Sequence, residues 1–264
     1  MAEKAVGTRE WYDFVAGLAD IMPMLHVGGA KATQRLLEMC QIKATDRVLD
    51  VGCGNGTTAC WIVQHYGCQV QGVDISEGMV ARAKQRAQHE GLTDRTEFRV
   101  ADALHLPFDD GTFDLAIFES FLTPLPGDPR AALSEMVRVL GGAGSVGANE
   151  GTFDPAVPPE FWSAAAEHPA INHCFTPEQL RELFEGVGLR VLQLEVGKPA
   201  PTPNVLKTVG LHGLLSFMLK SYPRMVAKLR DPRFRVVKSA DDKIGKWMTQ
   251  YAGYALIVGE KPAG

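Results

Sequence analysis

The sequence has few cysteines, and they are not arranged for a metal site or a disulfide framework. The five cysteines are odd in number and contain no C-x-x-C pair (Cys40, Cys53, Cys60, Cys68 and Cys174). Disulfide frameworks and structural zinc sites need paired, suitably spaced cysteines. We therefore expect neither kind of site, and the cysteine usage favours a reducing, cytoplasmic compartment.

Long hydrophobic runs are also lacking. The apolar stretches 208–219 and 247–259 are shorter than the roughly 20 residues that a membrane-spanning helix needs. The uncharged stretch 51–73 is longer, but polar residues and glycines interrupt it. The opening residues carry charges where a secretory signal needs an apolar core. The sequence thus predicts neither a membrane span nor export.

Positive charge is in slight deficit over the whole chain. The formal net charge is −4 for 264 residues, which excludes a globally basic nucleic-acid binder. Hydrophobic residues make up 45% and charged residues 22%, the balance of a globular domain rather than a disordered chain. Positive charge is instead concentrated in residues 198–250, where eleven Lys and Arg stand against three Asp.

Segments typical of strands and helices alternate from residue 47 onward. The strand candidates are short apolar runs between turn residues, at 47–52, 69–75, 96–101, 113–119, 144–149, 190–196 and 254–260. Helix starts are predicted at the caps Ser76 and Asp128 and at a capping box of Thr176 with Gln179. Such alternation predicts an α/β fold with a doubly wound, mostly parallel sheet.

The segment VLDVGCGNG at 48–56 carries the clearest functional signal. A strand ends there, glycines stand at alternate positions, and a helix is predicted from Thr57. Glycine allows close approach of a ligand to the backbone, and a helix start offers free N–H groups. The nicotinamide fingerprint G-x-G-x-x-G would need glycine at position 57, so an oxidoreductase is disfavoured.

Acidic residues follow at successive strand ends. Asp50 lies inside the glycine motif, and Asp74 ends the second strand, where a ribose diol would be bound. Asp102 follows the third strand, and its carboxylate and the next backbone N–H suit the polar edge of an adenine. The three acids together predict a nucleotide-type cofactor site at the carboxyl edge of the sheet.

Four segments in this order resemble the class I S-adenosylmethionine-dependent methyltransferases, and most of all the small-molecule enzymes of the ubiquinone/menaquinone-biosynthesis type. The segments are DVGCGNG (50–56), GVDIS (72–76), ADALHLPFDDGTFD (101–114) and RAALSEMVRVLGG (130–142). The resemblance implies a Rossmann-like, seven-stranded sheet and S-adenosyl-L-methionine as the cofactor. It also implies methyl transfer to an oxygen, nitrogen, carbon or sulfur atom of a small-molecule acceptor.

The same resemblance implies which residues meet the cofactor. The glycine loop and Asp50 would face its methionine part, and Asp74 its ribose. Ile75 and Met79 would flank the adenine, and Phe118 would border the methyl group. The full implied set is Asp50, Gly52, Cys53, Gly54, Asp74, Ile75, Met79, Asp102, Ala103 and Phe118.

Methyl transfer from a sulfonium depends mainly on alignment, and a base is needed only where the acceptor loses a proton. His173, in the 152–175 connection, is the first candidate base because imidazole titrates near neutral pH. Glu119, at the end of the fourth strand, is the second, and His168 lies in the same connection as His173. Each could instead make only structural hydrogen bonds.

Four regions are predicted along the chain. Residues 1–44 form an N-terminal helical lid and 45–197 the cofactor-binding core. Residues 198–253 form a basic helical insertion, and 254–264 the last strand. The insertion is both basic and apolar, so it could cap the acceptor pocket, form a dimer interface or rest on an anionic membrane surface. The cap is favoured.

Two other functions stay open at this point. A nucleic-acid methyltransferase would use the basic insertion, but no N-P-P-[YF] motif follows the fourth strand, where residues 119–122 read ESFL. A non-catalytic scaffold that binds the cofactor and regulates a partner would need the same glycine loop. Methylation of a small molecule is the favoured function.

Overall fold

The computed structural model describes residues 26–168, 171–198, 242–248 and 250–262. Residues 1–25 of the predicted helical lid and most of the predicted insertion 198–253 lie outside these ranges. The proposed roles of the insertion as cap, dimer interface or membrane contact therefore stay predictions. Within the described ranges, no helix is both long and apolar enough to cross a membrane.

Strands and helices alternate through most of the described chain. In chain order they are α1 (Gly29–Cys40), β1 (Arg47–Val51), α2 (Thr57–Tyr66), β2 (Gln69–Asp74), α3 (Glu77–His89), β3 (Thr96–Val100), β4 (Phe113–Glu119), α4 (Pro129–Val139), β5 (Leu140–Phe153), α5 (Pro159–Ala166), α6 (Pro177–Gly186), β6 (Arg190–Gly197) and β7 (Ala252–Glu260). Residues 242–248 are also helical.

The seven strands form one sheet in the order β3-β2-β1-β4-β5-β7-β6. Strands β1 to β5 are parallel, and β7 runs antiparallel between β5 and β6. The order reverses between β1 and β4, and a ligand crevice forms at the carboxyl edge of such a reversal. The predicted Rossmann-like, mostly parallel, seven-stranded sheet is confirmed.

The predicted helix caps are present. The Ser76 hydroxyl accepts a hydrogen bond from the backbone N–H of Met79, and Asp128 caps α4. Thr176 and Gln179 form the reciprocal capping box of α6. These caps satisfy N–H groups that the first helical turn leaves without intrahelical partners.

Two predicted boundaries are wrong, and one helix was missed. The fifth strand was predicted at 144–149, but β5 begins at Leu140, directly after α4, and runs to Phe153. Strand β7 begins at Ala252, inside the region predicted as the insertion. Helix α5 has no capping side chain and begins at prolines 158–159, so it carries a weak start signal.

The hydrophobic core has one layer on each face of the sheet. Leu115 and Ile117 of β4 pack towards α1, α2 and α3, whereas Ala116 and Phe118 pack towards α4 and α6. Successive side chains of a strand point to opposite faces. The phase of β4 therefore directs Glu119, its last residue, to the same face as α1 and α2.

Candidate active site

A cavity of about 410 Å³ opens at the carboxyl edge of the sheet. One end of it is lined by the glycine loop, Asp74 and Met79. The other end is lined by the end of β5, by His168 and Ile171, and by Ile244, Met248, Ala252 and Gly253. We call these ends the cofactor half and the acceptor half, after the roles proposed for them below.

The glycine loop turns back under the ends of the central strands. Gly52, Gly54 and Gly56 all have positive φ, and the N–H groups of Gly52 and Cys53 donate to the Val73 carbonyl at 2.8 and 3.0 Å. A Cβ on Gly52 would lie 2.7 Å from the Phe121 ring. Glycine is thus required at position 52 by both the backbone angle and the neighbouring ring.

Asp74 connects this loop to the next strand. Its carboxylate accepts from the backbone N–H of Gly54 at 2.9 Å and of Ser76 at 2.8 Å. Burial raises the pKa of Asp74, and these two hydrogen bonds oppose the rise. The carboxylate is therefore fixed at the cavity wall, between the glycine loop and the start of α3.

A smaller cleft adjoins the cofactor half and shares Gly52, Asp74 and Phe121 with it. Ile75, Asp102 and Ala103 line this cleft, while Met79 lines the main cavity. The structure thus brings together the residues implied for ribose and adenine. Ile75 is 49% exposed, which leaves it free to cover a flat ring.

Asp50 is buried in the wall of the cofactor half and is only 3% exposed. Within the described part of the chain its Oδ2 atom has no hydrogen-bond partner. Burial raises the pKa of Asp50 to about 8, and the negative charges of Glu119 and Asp74 add to the rise. A buried carboxyl oxygen without a partner is costly, so Oδ2 suits a cationic ligand group.

Glu119 lies next to Asp50, but its oxygens are already occupied. Oε2 accepts from the Thr33 hydroxyl at 2.9 Å and from the Asn149 amide at 3.0 Å. Oε1 accepts from the Thr58 hydroxyl at 2.8 Å, and Nδ1 of His26 lies 3.4 Å from Oε2. These contacts favour the structural alternative for Glu119 over a role as base.

Glu150 holds the loop that follows β4. Its buried carboxylate accepts from the backbone N–H groups of Phe121 and Leu122 at 3.0 and 2.8 Å. It also accepts from the Thr123 hydroxyl and the N–H of Gly151. The loop begins at Ser120, whose φ of 49° is costly for a residue other than glycine. Glu150 thus stabilises a strained turn that places Phe121 over the glycine loop.

Phe118 is not at the cavity, which corrects the role implied for it. Its side chain is fully buried between the sheet and helices α4 and α6, against Phe184. Because successive side chains of β4 point to opposite faces of the sheet, Phe118 lies in the core and Glu119 lines the cavity. Phe121, which is not among the residues predicted from the sequence, lines the cavity instead.

His173 does not line the cavity either. Its Nε2 donates to the Gly127 carbonyl at 2.8 Å, and its ring stacks on Phe175. The 152–175 connection brings a different histidine to the cavity, His168, which is 5% exposed. The path of a connection is not encoded in a local pattern, so the two histidines could not be separated from the sequence.

Residues 48–144 match the model of a family described as a methyltransferase domain. This segment has the fold of a methyltransferase domain. It contains the glycine loop, Asp74, Asp102 and Glu119, and we call it the methyltransferase domain below. The match confirms the predicted likeness to class I S-adenosylmethionine-dependent methyltransferases, although it does not single out the ubiquinone/menaquinone-biosynthesis type.

Relatives and solved structures agree with this match. Methyltransferase GfsG of Streptomyces halstedii is 38% identical over 112 residues, 42% of this chain and 40% of that protein. A S-adenosylmethionine-dependent methyltransferase of Geobacter sulfurreducens, solved with S-adenosyl-L-homocysteine, has a TM-score of 0.70 at 18% identity and covers 94% of this chain and 97% of its own.

A further solved structure, the [4+2]-cyclase SpnF, has a TM-score of 0.74 at 22% identity over the full length of both chains. These structural likenesses show the fold. The chain spans only 54% and 40% of two of the curated relatives that it matches.

Asp50→Asn should stabilise the protein in a manner that depends on pH. The unfolded chain loses the Asp50 proton near pH 4, whereas the folded protein keeps it up to about pH 8. The parent therefore loses stability as pH rises between these values, by up to about 1.4 kcal/mol per unit. Asparagine does not ionise, so without cofactor the variant should gain stability over the parent from pH 5 to pH 8.

Urea unfolding at both pH values measures this difference, and Asp94→Asn, on an exposed turn, serves as the matched control. A stability difference between the Asp50 variant and the parent that stays the same at pH 5 and pH 8 would contradict the assignment.

Glu150→Gln should loosen the loop after β4. The amide of glutamine replaces one acceptor oxygen by a donor, which then faces N–H or hydroxyl groups that have no other acceptor. Unpaired buried donors cost about 1–3 kcal/mol each. We expect that loss in urea unfolding and faster amide hydrogen exchange at residues 121 and 122.

The matched control is Glu178→Gln on α6, whose side chain is 70% exposed. Parental stability and unchanged amide protection in the Glu150 variant would show that the loop holds its turn without this carboxylate.

Proposed function

We propose that this protein is a S-adenosylmethionine-dependent methyltransferase that acts on a small-molecule acceptor. The observation that carries the proposal is the buried Oδ2 atom of Asp50, which lacks a partner within the described residues and lies beside a glycine loop at the cavity wall. The α-ammonium group of S-adenosylmethionine is a cation of suitable size for that atom. The match of residues 48–144 to a methyltransferase domain supports the same cofactor.

The cofactor would lie along residues that the structure brings to one edge of the sheet. Asp50 and the loop 52–54 would hold its methionine part and Asp74 its ribose hydroxyls. The smaller cleft with Ile75, Asp102 and Ala103 would take the adenine. When bound, this cofactor supplies a methyl group already activated on a positively charged sulfur.

The protein's own residues would bind, orient and exclude water. Glu119 fixes α1 and α2 around the cofactor half, and Glu150 fixes the wall with Phe121. Fixed walls of this kind align an acceptor with the methyl group, and alignment can lower a barrier by roughly 7–11 kcal/mol. A catalytic base would add to this lowering of the barrier, which comes from alignment.

His168 replaces His173 as the proposed base. It lines the acceptor half, is nearly buried, and follows the carboxyl end of α5, where the helix dipole favours a positive charge. An acceptor hydroxyl or amine in the acceptor half would meet this imidazole. His173 would act only through the connection that it anchors to Gly127.

The roles of the lid and the insertion, and the cellular compartment of the protein, are further parts of the proposal. The lid 1–44 would cover the cofactor half, since His26 and Val27 already line it. The insertion 198–253 would cap the acceptor half with its mostly apolar stretch 205–219, and a dimer interface or an anionic membrane surface is its alternative role. The five free cysteines support action in the reducing cytoplasm.

A second candidate function is a cofactor-binding protein that does not transfer a methyl group. The [4+2]-cyclase SpnF shares the fold, so the fold alone does not determine the reaction. Turnover separates the two functions, because only the methyltransferase converts S-adenosylmethionine to S-adenosylhomocysteine together with a methylated acceptor.

Asp74→Ala should weaken binding of S-adenosylmethionine by about 1.5–3 kcal/mol, the scale of a hydrogen bond to a charged group. Isothermal titration calorimetry with S-adenosylmethionine and S-adenosylhomocysteine measures the change. Asp154→Ala, on the exposed turn after β5, is the control and should bind like the parent. Parental protein that binds NAD and not S-adenosylmethionine would overturn the proposed function.

His168→Ala should lower the rate of methyl transfer by about 10²–10⁴-fold for an acceptor that must lose a proton. His173→Ala should leave the rate close to that of the parent, because His173 faces Gly127 and not the cavity. The measurement is the rate against pH for an acceptor identified by mass spectrometry of the purified protein. The reverse ranking of the two variants would restore His173 as the base.

A further inference from the structure

The acceptor half has an apolar wall assembled from distant parts of the chain. Its side chains come from the end of β5, from the connection after α5, from the helical residues 242–248 and from the start of β7. The apolar residues that line it are Phe153, Ile171, Ile244, Met248 and Ala252.

Most of this wall belongs to a packed cluster rather than to mobile surface groups. Phe153, Ile171, Ile244 and Ala252 are between 2% and 9% exposed. They pack with Phe161 and Trp247, which lie behind the wall. A wall held from behind in this way keeps its shape, so it presents a fixed apolar surface to a ligand.

The charges around the cavity disfavour a charged acceptor of either sign. The carboxyl groups of Asp50, Asp74, Glu119 and Glu150 line the cavity, and no Lys or Arg lines it among the residues that the structure describes. An acceptor phosphate or carboxylate would meet no Lys or Arg among the described lining residues and would leave water for an apolar wall. A cationic acceptor would be repelled by the positive sulfur of the bound cofactor.

His168 is the imidazole that the described residues bring to this apolar wall. A neutral acceptor would gain a directed hydrogen bond there and apolar contact elsewhere. In the transfer step a lone pair of the acceptor oxygen or nitrogen forms the bond to the methyl carbon. The carbon–sulfur bond breaks with its electron pair on sulfur, and the acceptor proton passes to the imidazole of His168.

We infer that the acceptor is an uncharged, largely apolar molecule that presents one hydroxyl or amine group to His168. The inference rests on the proposed function, since the acceptor half is defined relative to the bound cofactor. It goes further by naming the chemical class of the acceptor, and it excludes acceptors that carry a phosphate or carboxylate beside the reacting atom.

The test uses Nile red, a neutral apolar dye that fluoresces in apolar surroundings, with the full-length protein saturated with S-adenosylhomocysteine. The competitors are 1-naphthol and 1-naphthyl phosphate, which share a ring system and differ in charge. We expect the dye to bind, 1-naphthol to displace it, and 1-naphthyl phosphate to do so at least tenfold more weakly.

Two variants place a charge in the wall. Ile171→Asp should weaken dye binding at least tenfold. Met248→Lys should do the same, and it covers the case in which the first variant folds poorly, because Met248 is 38% exposed and tolerates a charge. Leu192→Asp puts a charge on an apolar residue of β6 that is 43% exposed and outside the cavity lining, and it should bind like the parent.

Equal competition by the two naphthyl compounds, or parental dye binding by both wall variants, would overturn the inference. Calorimetry with S-adenosylhomocysteine on the same samples separates this failure from failure of the proposed function. If the cofactor product does not bind, the proposed function fails. If it binds and the apolar probes do not, the acceptor class alone is wrong.

Discussion

Burial of carboxyl groups at one edge of the sheet is the constraint around which the site is arranged. Asp50, Asp74, Glu119 and Glu150 all lie there, away from most of the solvent. A buried carboxyl is tolerated when donors reach it, and otherwise its pKa rises. Asp74, Glu119 and Glu150 each meet donors at both carboxylate oxygens. Oδ2 of Asp50 is the exception within the described chain.

The satisfied carboxylates connect parts of the chain that are distant in sequence. Glu119 joins α1, α2 and β5 through Thr33, Thr58 and Asn149. Glu150 joins the end of β5 to the loop after β4, where Ser120 adopts a strained conformation. Glu119 and Glu150 therefore act through the residues that they position. These two buried carboxylates fix the shape of the cavity rather than take part in acid–base chemistry.

Local patterns were sufficient to predict which candidate site residues lie at the ends of single strands. The glycine loop, Asp50, Asp74 and Asp102 each lie at a strand end whose signal is contained in a few residues. The caps of α3, α4 and α6 were predicted for the same reason, since each depends on a side chain within three residues of its partner.

Side-chain direction and the path of long connections could not be predicted in that way. Phe118 and Glu119 are neighbours, and which of them faces the cavity depends on the phase of β4 against its flanking helices. His168 and His173 lie in one connection, and tertiary hydrogen bonds to Thr123 and Gly127 decide which reaches the cavity. Two consecutive polar residues, 149 and 150, are unusual at the end of a buried strand. This pattern was the sequence feature that could have indicated a role for Glu150 at the site.

We propose that Oδ2 of Asp50, which has no partner among the described residues, receives the ammonium group of the cofactor. A crystal structure of the full-length protein with S-adenosylhomocysteine tests it most directly. We expect the ammonium nitrogen within hydrogen-bond distance of Oδ2 of Asp50, with the ribose at Asp74. An ammonium group held by other residues, with Oδ2 of Asp50 still unpaired, would contradict it.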